Sequence, residues 1–294
     1  MFFTLLDIVI PVIAIALLGY LVGKRQTTPP QMDFINGVNI NVFCPALVFS
    51  ALTMHPVDLA SSWALVAAGT LIILLPGALL LFLRPQGIQQ PAFLIAGMFR
   101  NTGNIGIPLM MLAYGRENLG DIVILFVLSN CLHFSLGLFM LSGNQDRWLW
   151  LKSPNVWAAV LGVLCAPYSD ALPGFLSTSI EMVGQITIPL MIFSLGIRLS
   201  QDKISNIGLA FKTNVIYLFA GLISIPIVLW LLPLTPEWSR MIVLSGMLPP
   251  AVLNFLLCER YQMAPEIVAS VVLLGNVISV FTIPLVIWFT LVAI

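Results

Sequence analysis

The chain is a succession of apolar segments separated by short polar or Pro/Gly breaks, and its longest polar connection runs only from Ser142 to Pro154. Just 8% of its 294 residues are charged. A soluble globular chain carries about 25%, so these charges are too few to coat a solvated surface. Continuous apolar runs such as Leu71 to Leu75 favour helices over the alternating pattern of a membrane β-barrel. We therefore predict an all-α integral membrane protein.

Composition and motifs exclude several functions. The formal net charge is +0, which removes the basic footprint that nucleic-acid binding requires. The sequence has no nucleophile elbow, HExxH, P-loop or metal-ligand spacing, so we expect neither an enzyme nor a resident cofactor or metal. The four cysteines show no CxxC spacing and are expected to be small buried hydrophobes. Met1 to Tyr20 lacks a basic start and contains Asp7, which indicates a first span rather than a cleaved leader.

Polar, proline and glycine breaks divide the chain into ten candidate transmembrane spans, because a span needs about 20 apolar residues. In order, the predicted spans cover residues 3–23, 31–53, 60–83, 89–114, 119–142, 154–170, 174–199, 206–232, 238–262 and 264–291.

Basic residues are unevenly distributed between the two sides that these spans define. One side carries nine of them: Lys24, Arg25, Arg84, Arg147, Lys152, Arg198, Lys203, Lys212 and Arg260. The opposite side, with both termini, carries Arg116 and Arg240, and Arg100 lies inside span four. The positive-inside rule places both termini outside a cytoplasmic (inner) membrane.

The two halves of the chain repeat their polar and proline positions. Pro45 of span two and Pro189 of span seven each precede a Phe-Ser pair at the same spacing, and Asn130 of span five corresponds to Asn276 of span ten. Five spans precede the midpoint, an odd number, so the second half inserts upside down. We predict a 5+5 inverted repeat of residues 1–142 and 154–294, joined by a cytoplasmic linker at 143–153.

Spans four and nine carry helix-breaking residues at membrane depth. Span four has Asn101, Thr102, Asn104, Gly106 and Pro108, and we place its break at Gly106 to Pro108. Span nine has Pro249 and Pro250 followed by Asn254. Irregular backbone inside a membrane lines a cavity or is buried in protein. Freed N–H groups would bind an anion and freed carbonyls a cation, whereas the alternative is a pair of structural kinks.

Other intramembrane polar residues leave alternatives open. Arg100 lies near the midplane, where it would bind a substrate carboxylate, pair with Asp7 or Glu181, or reach cytoplasmic water. His133 of span five fits a hydrogen-bonded core histidine better than a proton relay. Asn41 of span two lines a cytoplasmic vestibule or bonds to a neighbouring helix.

Three stretches of the sequence resemble the auxin efflux carrier family, which includes the plant PIN carriers and bacterial organic-acid permeases. Asn101 to Leu109, followed by Tyr114-Gly115, is similar to its NT…GIPL…YG signature. Ile35 to Leu47 resembles its second span, and Leu248 to Ser270 its C-terminal signature. Two positions depart from the PIN pattern. Arg100 stands where PIN carriers have Pro, and Asn254 stands where they have a second Pro in span nine.

The resemblance implies an NhaA-like fold with broken, crossing spans four and nine, and a transport part that moves against a scaffold, often in a dimer. It implies a crossover of Asn101, Thr102, Gly106, Pro108, Pro249 and Asn254. To these we add Arg100, Asn104, Pro250 and Asn41 as predicted substrate-binding residues.

The expected function is secondary transport or uniport of a small mono- or dicarboxylate by elevator-type alternating access, with Na⁺ and H⁺ left open as coupling ions. The first alternative is a sodium-coupled symporter resembling the bile-acid symporters, and a non-transporting membrane receptor ranks lower. The expected partners are the organic anion, membrane lipid and a second copy of the chain.

Overall fold

A computed structural model describes residues 2–25, 32–55, 61–142, 149–201 and 206–294. Over these ranges the chain is helical and forms no strand beyond one isolated bridge. The α-helices are α1 (Phe2–Arg25), α2 (Met32–Val38), α3 (Cys44–Met54), α4 (Trp63–Leu80), α5 (Gln90–Met98), α6 (Ile107–Tyr114), α7 (Leu119–Leu132), α8 (Leu138–Ser142), α9 (Pro154–Cys165), α10 (Gly174–Gln185), α11 (Thr187–Gln201), α12 (Ile207–Leu231), α13 (Pro236–Met247), α14 (Val252–Arg260) and α15 (Pro265–Ala293).

Many of these helices are apolar over lengths that suit a bilayer. Within the described ranges, five helical segments are long and apolar enough to cross a membrane, judged by length and composition. They cover residues 63–80, 116–142, 174–200, 207–231 and 265–293. The protein is therefore an all-α membrane protein, and the count of ten spans stays a prediction.

The chain forms two compact units, and each unit takes helices from both halves of the sequence. Unit 1 comprises Met1–Ser62, Gly103–Val127 and Leu149–Gln201. Unit 2 comprises Trp63–Thr102, Leu128–Trp148 and Asp202–Ile294. These units do not coincide with the predicted repeats. The repeats are defined by similar sequence, whereas the units are defined by contacts in space.

In unit 1, α1 and α11 lie against each other with almost no space between their backbones. A Cβ at Gly19 would overlap the carbonyl oxygen of Phe193, and one at Gly196 would overlap that of Ala16. Small residues allow this close approach. In a bilayer the hydrophobic effect does not drive helices together, so close van der Waals contact stabilises the pair instead.

In unit 2, α12 packs against α4, α13 and α15. Its fully buried Tyr217 lies with its ring centroid 5.2 Å from that of Phe93, and its hydroxyl donates to the Phe93 carbonyl at 2.7 Å. A glycine, Gly221, brings α12 within contact of the Gly246 carbonyl of α13. Unit 2 thereby holds both halves of the predicted break in span nine and the first half of span four.

Three short π-helical turns interrupt the α-helices, at Asn39–Phe43, Thr102–Gly106 and His133–Gly137. The first two each precede a dipeptide that ends in proline, Cys44-Pro45 and Ile107-Pro108. In a π-turn an N–H donates to the carbonyl five residues earlier, as the Cys44 N–H does to the Asn39 carbonyl. The hydrogen-bond register therefore shifts just before a proline, which has no N–H to donate. In these two places the helix continues through its proline.

Candidate functional site

The helices of spans four and nine both break in unit 2, and the breaks meet. Helix α5 ends at Met98 and helical structure resumes at Thr102, while α13 ends at Met247 and α14 begins at Val252. The Asn101 N–H donates to the Pro249 carbonyl at 2.8 Å, and the Ala251 N–H donates to the Phe99 carbonyl at 3.1 Å. These bonds form an antiparallel bridge between Arg100 and Pro250. We call residues 99–101 and 248–251 the crossing.

The two breaks have different causes. In span nine, Pro249 and Pro250 lack N–H donors, and a residue that precedes proline avoids helical geometry, so the sequence itself ends the helix. In span four the predicted break at Gly106 to Pro108 is wrong, because this stretch is a π-turn followed by α6 with Pro108 in its first turn. The chain breaks instead at 99–101, which contains no glycine or proline and is extended because it pairs with span nine.

Protein donors satisfy the backbone carbonyls of the crossing. The Phe99 carbonyl accepts from the Ala251 N–H and the Asn254 amide, the latter at 2.9 Å. The remaining acceptor–donor pairs are Arg100 carbonyl with Thr102 N–H (2.8 Å), Pro249 carbonyl with Asn101 N–H (2.8 Å), Pro250 carbonyl with Asn276 amide (3.4 Å), and Leu248 carbonyl with Arg100 guanidinium (3.3 Å). Each of these five carbonyls, which the sequence suggested as a cation site, therefore accepts at least one protein hydrogen bond.

Arg100 is a buried cation held by carbonyl oxygens. Its side chain is 5% exposed, and it donates from one Nη atom to the Leu248 carbonyl and from the other to the Tyr217 carbonyl, at 3.3 and 2.8 Å. The guanidinium carbon lies 5.8 Å from the centroid of the Tyr217 ring. Among the residues that the structure describes, no carboxylate forms an ion pair with Arg100. The predicted partner Glu181 belongs to unit 1 and accepts from Gln185, and the Asp7 side chain lies outside the described part.

Asparagine amides connect the crossing to the neighbouring helices. The Asn101 amide donates to Asn276 Oδ1 of α15 at 3.1 Å, and the Asn276 amide donates in turn to the Val272 carbonyl at 2.7 Å. Asn214 of α12 donates to the Val271 carbonyl at 2.9 Å. Sequence reasoning identified Asn101 but omitted Asn214, Tyr217 and Asn276 from the site. Their signal was a polar side chain inside an apolar span, and Asn276 had also entered the repeat alignment.

A second buried polar group accompanies the crossing in unit 2. His133 stacks on Phe99 with ring centroids 4.2 Å apart and planes 4° apart. Its Nε2 and Asn254 Oδ1 are buried with no hydrogen-bond partner among the described residues. His133 is therefore a buried core histidine, stacked on Phe99 and with the Asn254 side chain as its polar neighbour.

The other predicted site residues belong to unit 1. Asn104 is half-buried, Gly106 and Pro108 are buried in the second half of span four, and Asn41 is exposed with its amide donating to the Gly37 carbonyl at 2.8 Å. This bond is local to its own helix, and no bond from Asn41 to a neighbouring helix occurs among the described residues.

Two positive groups lie at the crossing, next to the negative C-terminal ends of α5 and α13. The N-cap of α14, Ala251, is extended and has no side chain that caps the helix, so the first-turn N–H groups of Val252 and Leu253 lack an intrahelical acceptor. A helix N-terminus carries about half a positive charge, and Arg100 adds a full one. No carboxylate among the described residues of the crossing offsets them.

Cavities of different size lie in the two units. The one that touches Arg100 in unit 2 measures about 10 Å³, close to the space of a single water molecule, so protein encloses the guanidinium. Unit 1 has a larger one of about 300 Å³, lined by His55, Arg116 and Glu181 among others.

The chain belongs to a family of membrane transport proteins. The family described as "Membrane transport protein" matches residues 4–150 and 142–287, most of the chain. The resemblance to auxin efflux carriers is thereby confirmed, and the protein is a transporter by family rather than an enzyme.

Curated relatives give the same picture. The chain is 24% identical over 300 residues to a Rhizobium meliloti (strain 1021) protein named "Putative malonate transporter", covering 94% of this chain and 92% of that one. It is 25% identical over 279 residues to "Uncharacterized transporter YfdV" of Escherichia coli (strain K12), covering 86% and 87%. It is 27% identical over 143 residues to "Probable auxin efflux carrier component 5b" of Oryza sativa subsp. japonica, covering 45% and 39%.

Proposed function

We propose that this protein carries a small organic anion, a mono- or dicarboxylate, across the cytoplasmic membrane by alternating access. The observation that carries the proposal is the crossing, where a buried arginine and an uncapped helix N-terminus create positive potential without a carboxylate of their own. The name of the Rhizobium relative, a malonate transporter, supports this substrate class.

The proposed substrate site is the part of the prediction that unit 2 brings together: Arg100, Asn101, Thr102, Pro249, Pro250 and Asn254. In this proposed site the first-turn N–H groups of α14 bind the substrate carboxylate. The positive charge of Arg100 attracts the carboxylate without direct contact. The roles of Asn41, Asn104, Gly106 and Pro108 stay predictions.

An elevator mechanism needs one part of the carrier to move against another. The division of the chain into two compact units, each drawing on both halves, supports such a mechanism and is compatible with ten spans in a 5+5 inverted repeat. The corresponding localisation is a multi-pass inner-membrane protein with both termini outside, and the second copy of a homodimer stays part of the proposal.

The test is uptake of labelled malonate into liposomes that contain the purified protein. We expect Arg100→Ala and Asn254→Ala each to reduce uptake by about tenfold or more, since a hydrogen bond to a charged group contributes about 1.5–3 kcal/mol. Arg84→Ala is the matched control, because Arg84 is exposed in unit 2. Unchanged uptake in both site variants would contradict the site.

Two alternatives give different results in the same vesicles. A sodium-coupled symporter would lose uptake when the sodium gradient is removed. A receptor without turnover would bind a carboxylate yet show no counterflow of labelled against unlabelled ligand.

A further inference from the structure

We propose that the Arg100 guanidinium is a built-in substitute for a coupling cation, so that the carrier moves its anion without Na⁺. This inference rests on the proposed function for the anion and adds how its charge is balanced.

Arg100 lies at the C-terminus of a helix. Leu248 is the C-cap of α13, where unpaired carbonyls and the negative end of the helix dipole favour a cation. In a broken-helix carrier, such carbonyl ends are where Na⁺ or H⁺ is coordinated. Here one Nη atom of Arg100 donates to the Leu248 carbonyl at 3.3 Å, and the other donates to the Tyr217 carbonyl at 2.8 Å.

Little coordination remains for a diffusible ion. The carbonyls of Phe99, Arg100, Pro249 and Pro250 accept from Ala251, Asn254, Thr102, Asn101 and Asn276. The adjoining cavity of about 10 Å³ has room for about one water, whereas Na⁺ needs a shell of oxygen ligands. A cation entering there would also meet the like charge of the guanidinium.

Several contacts stabilise Arg100 as a buried charged group. Its two carbonyl acceptors and the Tyr217 ring, 5.8 Å from the guanidinium carbon, replace part of its lost hydration. Gly221 of α12 lies beside the guanidinium, where a Cβ would touch an Nη atom at 3.7 Å and overlap the Gly246 carbonyl. No described carboxylate neutralises the guanidinium, so its charge is available to an anion.

Thermal stability of the purified protein tests this independently of transport. We expect the wild-type Tm to be the same in NaCl, KCl and choline chloride of equal concentration. Arg100→Ala should have a lower Tm that rises saturably with methylguanidinium, because a ligand that binds the vacated site stabilises the fold. Arg84→Ala is the control and should show no such rise. A saturable rise of the wild-type Tm with Na⁺ would overturn the proposal.

Malonate uptake supplies the second readout. Wild-type uptake should not change when choline replaces Na⁺, and millimolar methylguanidinium should restore uptake by Arg100→Ala at least severalfold from a loss of about tenfold. Uptake by Arg100→Ala at the wild-type rate without any added cation would overturn the inference. Absence of any carboxylate uptake by the wild type, together with the expected Tm pattern, would instead refute the proposed substrate class alone.

Should Arg100→Ala fail to fold, Arg100→Lys replaces it. Lysine keeps the charge but not the planar fork that reaches two carbonyls, so we expect Na⁺-independent uptake at a reduced rate. Na⁺-dependent uptake by Arg100→Lys would contradict the proposal.

Discussion

At the residue scale, the polar side chains at the crossing donate hydrogen bonds to protein acceptors, most of which are backbone carbonyls. Asn101, Asn254 and Arg100 were predicted as substrate ligands from their types and positions. The structure gives each of them an internal acceptor, namely Asn276 Oδ1, the Phe99 carbonyl, and the carbonyls of Leu248 and Tyr217. Broken helices leave backbone groups unpaired at membrane depth, and nearby amides and the guanidinium satisfy them first.

The pair of Asn101 and Asn276 gives a stability prediction. We expect Asn101→Ala and Asn276→Ala each to lower the Tm, and the double variant to lower it by less than the sum, because both changes remove the same hydrogen bond. Interhelical polar pairs in membrane proteins show a mean coupling energy of about 0.6 kcal/mol and a maximum of about 1.7 kcal/mol.

The measurement is a double-mutant cycle by thermal unfolding in detergent. Asn41, whose amide bonds to the carbonyl of Gly37 in unit 1, provides a matched control for the loss of one amide. Strictly additive effects of Asn101→Ala and Asn276→Ala would mean that the bond contributes nothing to stability.

At the element scale, prolines do not by themselves end helices in this protein. Pro45 and Pro108 follow π-turns, and Pro76 and Pro226 lie inside α4 and α12, which continue through them. Among the described residues, the adjacent pair in span nine follows the end of α13, and Pro233 follows the extended C-cap of α12. The break of span four therefore fell at 99–101, where the local sequence has no breaking residue, because extended backbone there completes hydrogen bonds with span nine.

The close approach of α1 and α11 in unit 1 predicts a large effect of one methyl group. Gly196→Ala should lower the Tm, because its Cβ would overlap the Ala16 carbonyl and overpacking costs about 1–3 kcal/mol. Gly174→Ala, where nothing lies within 4 Å, is the matched control and should leave the Tm unchanged or raise it. Equal effects of the two variants would show that α1 and α11 do not touch as described.

At the scale of the whole molecule, the distribution of basic residues predicts the topology. Gln86, in the exposed turn between α4 and α5, should lie on the cytoplasmic side, and Glu237, at the start of α13, on the outer side. A membrane-impermeant thiol reagent should therefore modify Glu237→Cys in intact cells and Gln86→Cys in inverted vesicles. Wild-type protein gives the background from the four native cysteines. The reverse pattern would invert the predicted orientation.

The sequence alone determined the class of the protein, an all-α membrane transporter. Charge content and the lengths of apolar runs can be counted directly in the sequence, and the family signature is a pattern of residue types. It also determined the break in span nine, since two prolines act on their own helix. Only the tertiary structure decided where span four breaks, which helices share a compact unit, and which acceptors Arg100 contacts. Those features depend on hydrogen bonds between residues more than a hundred positions apart, as Arg100 to Leu248 is, and no local pattern records such a partner.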